Sequence, residues 1–257
     1  MSKINLWTHE ELILAFNLYL RIEFGKTHAR NPKIIELANL MGRTPASIVM
    51  RLGNFASIDP FHQKRGVSGL KNGMNQVQPI WDEFFNNQEE LIFQSEQILV
   101  QKENTSIENK YQDILSDIND LRGETAISQV KTRVNQSVFR QMVLANYATK
   151  CAITSIDIPE LLLASHIIPW SKNEKERLNP ENGICLSPLY DKAFDKGIIG
   201  INKNYEVILS TSLKMKKETP FFKNHFAFIE NHKITEPVKY LPRKEFLEYH
   251  LDTIFEK

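Results

Sequence analysis

Four residues of this chain have types and spacing that could do chemistry together: His166, Asn182, Asp191 and Asp195. They fall in one stretch, residues 161–197, LLLASHIIPWSKNEKERLNPENGICLSPLYDKAFDKG. An imidazole, titrating near ~6.5, can take a proton from water at neutral pH. Two carboxylates four residues apart project from one face of a helix and can share one hard cation. Oxygen ligands favour Mg²⁺ or Mn²⁺ over zinc. The Asn182 side-chain oxygen could hold the second ring nitrogen of His166 and so fix its tautomer. A base for an attacking water, with a cation to neutralise the phosphorane, is what phosphodiester hydrolysis requires. Each residue also has a plainer reading: a structural histidine ending a strand, a turn at Asn-Gly, a solvated pair of acids. Their order and spacing together favour the site.

The elements that must position these groups can be read around them. An apolar run over 161–168 reads as a strand ending near Ser165 and His166, paired with a strand over 151–156. A polar loop leads to a short strand at 184–186, then to a helix over 188–196 that carries both aspartates. A hairpin follows, 198–201 and 206–209, turned by Asn202-Lys203-Asn204. A last helix begins near Pro242 and sets Phe246, His250 and Ile254 along one side. Upstream, residues 125–150 read as a helix entering this domain, with Val134, Val138, Met142 and Val143 apolar and Lys131, Arg133 and Arg140 outward.

Residues 1–83 read as a small helical domain. Thr8 and Glu11 have capping-box spacing, and Leu12, Ala15, Phe16, Tyr19 and Leu20 recur at helical intervals. Pro32 opens a second helix that Gly42 stops, and Thr44-Pro45 opens a third with Ile48, Val49 and Leu52 on one face. The order Ala38, Gly42, Ile48 resembles a helix-turn-helix. Its third helix would read DNA with Ser47, Met50, Arg51 and Asn54, and Arg43 in the turn would add a phosphate contact. Residues 24–71 hold eight Lys or Arg against two acids, enough for several phosphate contacts. The plainer reading is a packed three-helix domain with a solvated basic face.

Residues 84–124 differ in composition, with nine acids and three bases. Phe84, Leu91 and Ile98 are seven apart, and Ile107, Tyr111, Ile114, Ile118 and Leu121 continue at coiled-coil intervals. This acidic helical linker would avoid DNA. Its apolar seam either packs on its own chain or pairs with a second copy, making 84–121 a homodimer segment.

Composition sets outer bounds. The net charge of +1 excludes an overall field that would pull the chain onto nucleic acid, so any basic surface is local. Two cysteines exclude a disulfide framework and a four-cysteine zinc site. With no basic-then-apolar leader and no apolar run of about 18 residues, the expectation is a cytoplasmic protein without a membrane span.

Three motifs, SHIIPW at 165–170, NPENGICL at 179–186 and LYDKAFDKG at 189–197, together resemble the HNH family of ββα-metal nucleases, nearest its restriction-endonuclease-like branch. In that pattern a general-base His precedes a central Asn that orients it. Metal ligands follow on a helix nine and thirteen residues after the Asn, where Asp191 and Asp195 stand. The resemblance implies His166 as base, Asn182 as its orienting partner, and Asp191 and Asp195 as ligands of one Mg²⁺ or Mn²⁺. Ser165 is a weaker ligand where many members carry Asp or His. The run RVNQSVFR at 133–140 resembles the approach to the motif and makes Arg140 a phosphate clamp. Cys151 is followed by Thr154, Ser187 and Tyr190 where a zinc knuckle has cysteines, so no structural zinc is expected. Packing of Trp170, Ile184, Leu186, Leu189 and Phe194 must hold the core instead.

The expected fold is α+β: a helix-turn-helix-like domain (1–83), a helical linker (84–124) and a C-terminal ββα-metal nuclease domain (125–257). The resemblance implies a metal-dependent HNH endonuclease cutting DNA, of restriction or phage-defence type. The alternative is a DNA-binding regulator whose HNH domain is degenerate and structural. One such site cuts one strand, so double-strand cleavage would need two copies.

Overall fold

Thr8 caps α1 (His9–Arg21) through a reciprocal capping box with Glu11. Asn31 caps α2 (Pro32–Met41), which ends on Gly42 in the left-handed conformation at φ 63°. Thr44 caps α3 (Pro45–Ile58), again with proline in the first turn. These helices come from a computed structural model that describes residues 6–23, 25–64, 66, 71–85, 87–115 and 124–257. The chain forms two units, Met1–Val138 and Phe139–Lys257.

In the first unit α1 is the central element. Every residue from Leu12 to Leu20 is buried, as expected of a helix covered on all sides. Around it pack α2, α3, α5 (Lys71–Phe84) and α6 (Gln88–Lys102), with the short α4 (Pro60–Gln63) following α3. Phe16 stacks on Phe55 at 4.8 Å between centroids and meets Trp81 at 5.2 Å. Truncating either phenylalanine would cost about 3–5 kcal/mol.

α6 covers α1 with Leu91, Ile92, Leu99 and Val100. Buried polar pairs stitch the contact: Asn17 donates to Ser95, and Arg21 meets the fully buried Glu96 at 3.1 Å. Of the two courses expected for the seam, Phe84 and Leu91 follow the first and are buried within their own unit, while Ile98 and Tyr111 are half-buried. Further on lie α7 (Ile107–Lys110) and α8 (Gln112–Leu115), with Ile107 also buried. Ile118 and Leu121 lie outside the described residues.

α9 (Glu124–Asn146) contains the division between the units. In the second unit β1 (Leu163–His166) pairs antiparallel with β2 (Gly183–Leu186), so that Ser165 faces Ile184 and His166 faces Gly183. The expected partner strand at 151–156 is instead a run of turns, joined to β2 by the Ala152 N–H to Cys185 carbonyl bond. α10 (Pro188–Asp195) packs on both strands and completes a ββα unit. The hairpin of β3 (Ile199–Ile201) and β4 (Val207–Leu209) follows, its turn held by the Asn202 side chain accepting from the Asn204 and Glu206 amides.

After the hairpin come the short helices α11 (Thr211–Lys214) and α12 (Pro220–His225), then α13 (Lys244–Thr253), which packs on β3. Ile184, Leu186 and Phe194 are buried to within 1 %, whereas Leu189 is exposed and Trp170 only half-buried. Three of the five residues expected to hold the core do so, joined by Ile167, Leu178 and Tyr190. No helix among the described residues is long and apolar enough to cross a membrane.

Candidate active site

β1 presents two polar residues in succession, and strand alternation sends them to opposite faces. The buried Ser165 turns toward α10, where its hydroxyl donates to Asp191 Oδ1. His166 turns the other way, onto the Phe139 ring, parallel to it at 4.0 Å and 14°. Trp170 closes the imidazole edge-on at 5.5 Å.

Gly183 makes that stack possible. A Cβ on it would stand 2.4 Å from Val143 Cγ2 and 2.8 Å from Phe139 Cζ, so no other residue lets α9 approach the ribbon this closely. The backbone there is extended, φ −129°, and the Asn-Gly pair is not a hairpin turn.

His166 Nε2 lies 2.8 Å from the Arg177 carbonyl, which can only accept, so the ring is protonated at Nε2. Nδ1 has no hydrogen bond to another described residue and is not sealed inside the protein. Burial holds the imidazole below its ordinary pKa, with the Arg177 bond opposing, and the ring is therefore a neutral base near neutrality.

The orienting role expected of Asn182 is corrected. Its side-chain oxygen accepts from the Ile168 amide at 2.8 Å, and its amide donates to the Ile168 and Glu176 carbonyls at 3.2 and 3.1 Å. The buried amide thus folds the 168–176 loop, and that loop delivers the Arg177 carbonyl to His166. Asn182 acts through the loop and never touches the imidazole.

Arg177 was not foreseen. Its guanidinium lies over Trp170 at 5.2 Å and bonds the Trp170 carbonyl at 2.7 Å. Nothing in a run of charged loop residues marks one backbone carbonyl as the histidine's partner. Arg243 braces the same loop from its other end, pairing with Glu181 at 2.6 Å and Glu176 at 3.4 Å.

Asp191 and Asp195 stand one turn apart on α10. Lost hydration and then the Asp191 charge hold the Asp195 carboxyl above its ordinary pKa, while Lys192 and Lys196 oppose. Among the described residues no group of three His, Cys, Asp or Glu gathers for a metal. The donor set is two carboxylates and one hydroxyl, all oxygen. Mg²⁺ suits such a set, because it keeps several waters and needs only one or two carboxylates.

Arg140, expected as a phosphate clamp, spends one end of its guanidinium on backbone carbonyls. Its Nη2 donates to the Pro159 and Leu162 carbonyls at 2.7 and 3.0 Å, tying α9 to the entry of β1. Cys151 is buried, and its sulfur accepts from the Thr154 and Ser187 amides at 3.4 and 3.3 Å.

In the first unit the reading helix is corrected as well. Arg43 grips Glu11 through two bonds of 2.7 Å, its side chain 7 % exposed and that of Glu11 13 %. Arg51, 7 % exposed, bonds Gln76 at 2.8 Å. Both guanidinium groups lie over the Trp7 indole, at 4.4 and 4.6 Å. Asn54 is covered by α5, where a Cβ on Gly73 would come within 2.5 Å of its amide. Ser47 is half-buried and Met50 exposed. Of the face expected to enter a groove, Arg51 and Asn54 make internal contacts and Met50 stays open to solvent.

No curated protein matches the chain. The family model for HNH endonucleases matches residues 151–202, a span that contains Ser165, His166, Asn182, Asp191 and Asp195 and all of the ββα unit. That segment belongs to the HNH endonuclease family.

Proposed function

We propose that the second unit is a metal-dependent endonuclease that hydrolyses DNA phosphodiester bonds, with His166 as general base. The observation that carries this reading is the state of the imidazole: Nε2 is tied to the Arg177 carbonyl, and Nδ1 is left open with its lone pair. Nδ1 takes a proton from a water directed at phosphorus. Phe139 and Trp170 keep the ring from turning.

Asp191 and Asp195, with Ser165 behind Asp191, would hold one Mg²⁺ or Mn²⁺. When bound, the ion neutralises charge on the phosphate and on the departing 3′ oxygen, leaving a 5′ phosphate and a 3′ hydroxyl. The pairing of Ser165 with Asp191 sets one carboxylate oxygen and leaves the other for the ion. A restriction or phage-defence setting is carried by the resemblance of residues 130–256 alone. Arg43 and Arg51, two of the cations the regulator reading drew on, are engaged within their own unit, whereas Lys26, Arg30, Lys33 and Lys64 are exposed.

The test is a plasmid-nicking assay across Mg²⁺, Mn²⁺ and Zn²⁺. Native protein should nick with Mg²⁺ or Mn²⁺, and His166→Ala should lower the rate about 10²- to 10⁴-fold. Equal nicking by both proteins would sink the assignment.

A further inference from the structure

The segment after the hairpin lies beyond the family match and carries an exposed combination of aromatic and basic side chains. Within residues 211–229 Met215 is 76 % exposed, Phe221 54 % and Phe228 49 %. Phe222, Phe226 and Ile229 from the same run are buried. The inward positions of this segment are therefore already filled, and Phe221, though its ring meets Phe226 at 5.8 Å, still shows about half its surface to solvent, as does Phe228.

The scaffold beneath them is well tied. The Thr219 side chain caps α12 by accepting from the Phe222 amide. The Tyr190 hydroxyl donates to the His225 carbonyl at 2.6 Å, and its ring meets Phe226 edge-on at 5.9 Å. Tyr190 directly precedes Asp191, so this segment is anchored to the helix that carries both aspartates. Phe221 also lies against the exposed His225 ring at 4.8 Å.

The same exposed segment carries four lysines. Lys214 pairs with Glu230 at 2.7 Å and Lys223 with Glu218 at 3.0 Å. Lys216 and Lys217 are exposed, with no acidic partner among the described residues. Phosphate contact alone would need only the lysines. Outward phenylalanines beside them suit a strand whose bases are unstacked, since every base has a face that a ring can cover.

We propose that residues 214–228 dock an unpaired DNA strand beside the candidate active site, with Phe221 and Phe228 stacking on bases and Lys216 and Lys217 meeting its backbone. The proposal rests on the nuclease reading and narrows its substrate to DNA that is single-stranded near the cut.

The test uses the full chain in EDTA, so that binding is read without cleavage. Labelled oligothymidylate and duplex of about 20 nucleotides, longer than one stacking platform, are titrated by fluorescence anisotropy. Phe221→Ala should weaken single-strand binding at least about fivefold, and adding Phe228→Ala should weaken it further, with duplex affinity changed less than about twofold. The Lys216→Gln, Lys217→Gln pair should reduce the single-strand salt slope by about 1.4. Unchanged melting temperatures would show that the variants fold.

Single-strand affinity that ignores both phenylalanines overturns the proposal. So does an equal loss for duplex and single strand. Loss of only anionic-vesicle binding or only self-association in the same variants would give the surface to a membrane or a second copy and refute a DNA role. A chain that nicks plasmid but binds oligonucleotides independently of Phe221 and Phe228 breaks this inference alone. A chain with ring-dependent binding whose His166→Ala variant nicks normally breaks the nuclease reading alone.

Discussion

Two histidines of the second unit have nearly the same surroundings and differ in one nitrogen. His166 lies flat on Phe139 at 4.0 Å, and His250 lies flat on Phe194 at 3.8 Å. Each binds a backbone carbonyl through Nε2, His166 that of Arg177 at 2.8 Å and His250 that of Phe194 at 3.0 Å. The His250 Nδ1 is buried without a partner, whereas the His166 Nδ1 is not sealed in. Stacking and tautomer are thus the same device at both places, and access by water separates the proposed base from a piece of core. A histidine on an apolar element says little about function until its second nitrogen is located.

The largest effect should come from removing each ring in turn. His166→Ala should lose nicking as stated above, while His250→Gln should nick within about threefold of native when both are folded. A similar loss in both variants would erase the distinction.

The same contrast between sealed and open polar groups extends to the first unit. Arg43→Ala strips Glu11 of its guanidinium partner but leaves its bond from the Thr8 amide, and should lower stability to urea by about 1.5–3 kcal/mol without changing the salt dependence of DNA binding. If DNA affinity falls while stability holds, the helix-turn-helix role returns.

Acid should then act through His250. Burial lowers its pKa to about 4 from an ordinary value near 6.5. The native state therefore resists protonation, and its contribution is complete above pH ~6.5 and lost as pH falls toward 4. Native stability minus that of His250→Phe should be flat above that range and drop on the order of 3 kcal/mol below it. A flat difference across the whole range would mean that the ring is not sealed.

Smallest is the effect of a single methyl group. Gly183→Ala would push Phe139 off the imidazole, and nicking should fall about 30-fold with the fold retained. Gly53→Ala, on the exposed side of α3 with nothing within 4 Å of its Cβ, should stabilise by up to about 1 kcal/mol and leave nicking alone. Equal responses at the two glycines would remove the argument that Gly183 sets the ring.

Local signals were legible wherever a single element decided them. Thr8 with Glu11, Pro32 with Gly42 and Thr44 with Pro45 mark three helices whose ends the structure places there. The hairpin turn at Asn202–Asn204 follows from the Asn202 side chain satisfying two nearby amides. The run CAITSI at 151–156 read as a strand, but the Cys151 amide and sulfur bond within the run and favour turns. The coiled-coil interval at 84–91 was real as periodicity, yet periodicity is silent on which chain covers it.

From the sequence alone came the residue types at 165, 166, 182, 191 and 195, their spacing, and the αα and ββα pieces that carry them, because caps, turns and alternation act over a few residues. Only the tertiary structure decided that Arg43 and Arg51 close over Trp7, that the Asn182 amide folds a loop, and that Arg177 supplies the carbonyl to His166. Long polar side chains reach partners far along the chain, and which partner they find depends on packing that no local pattern encodes.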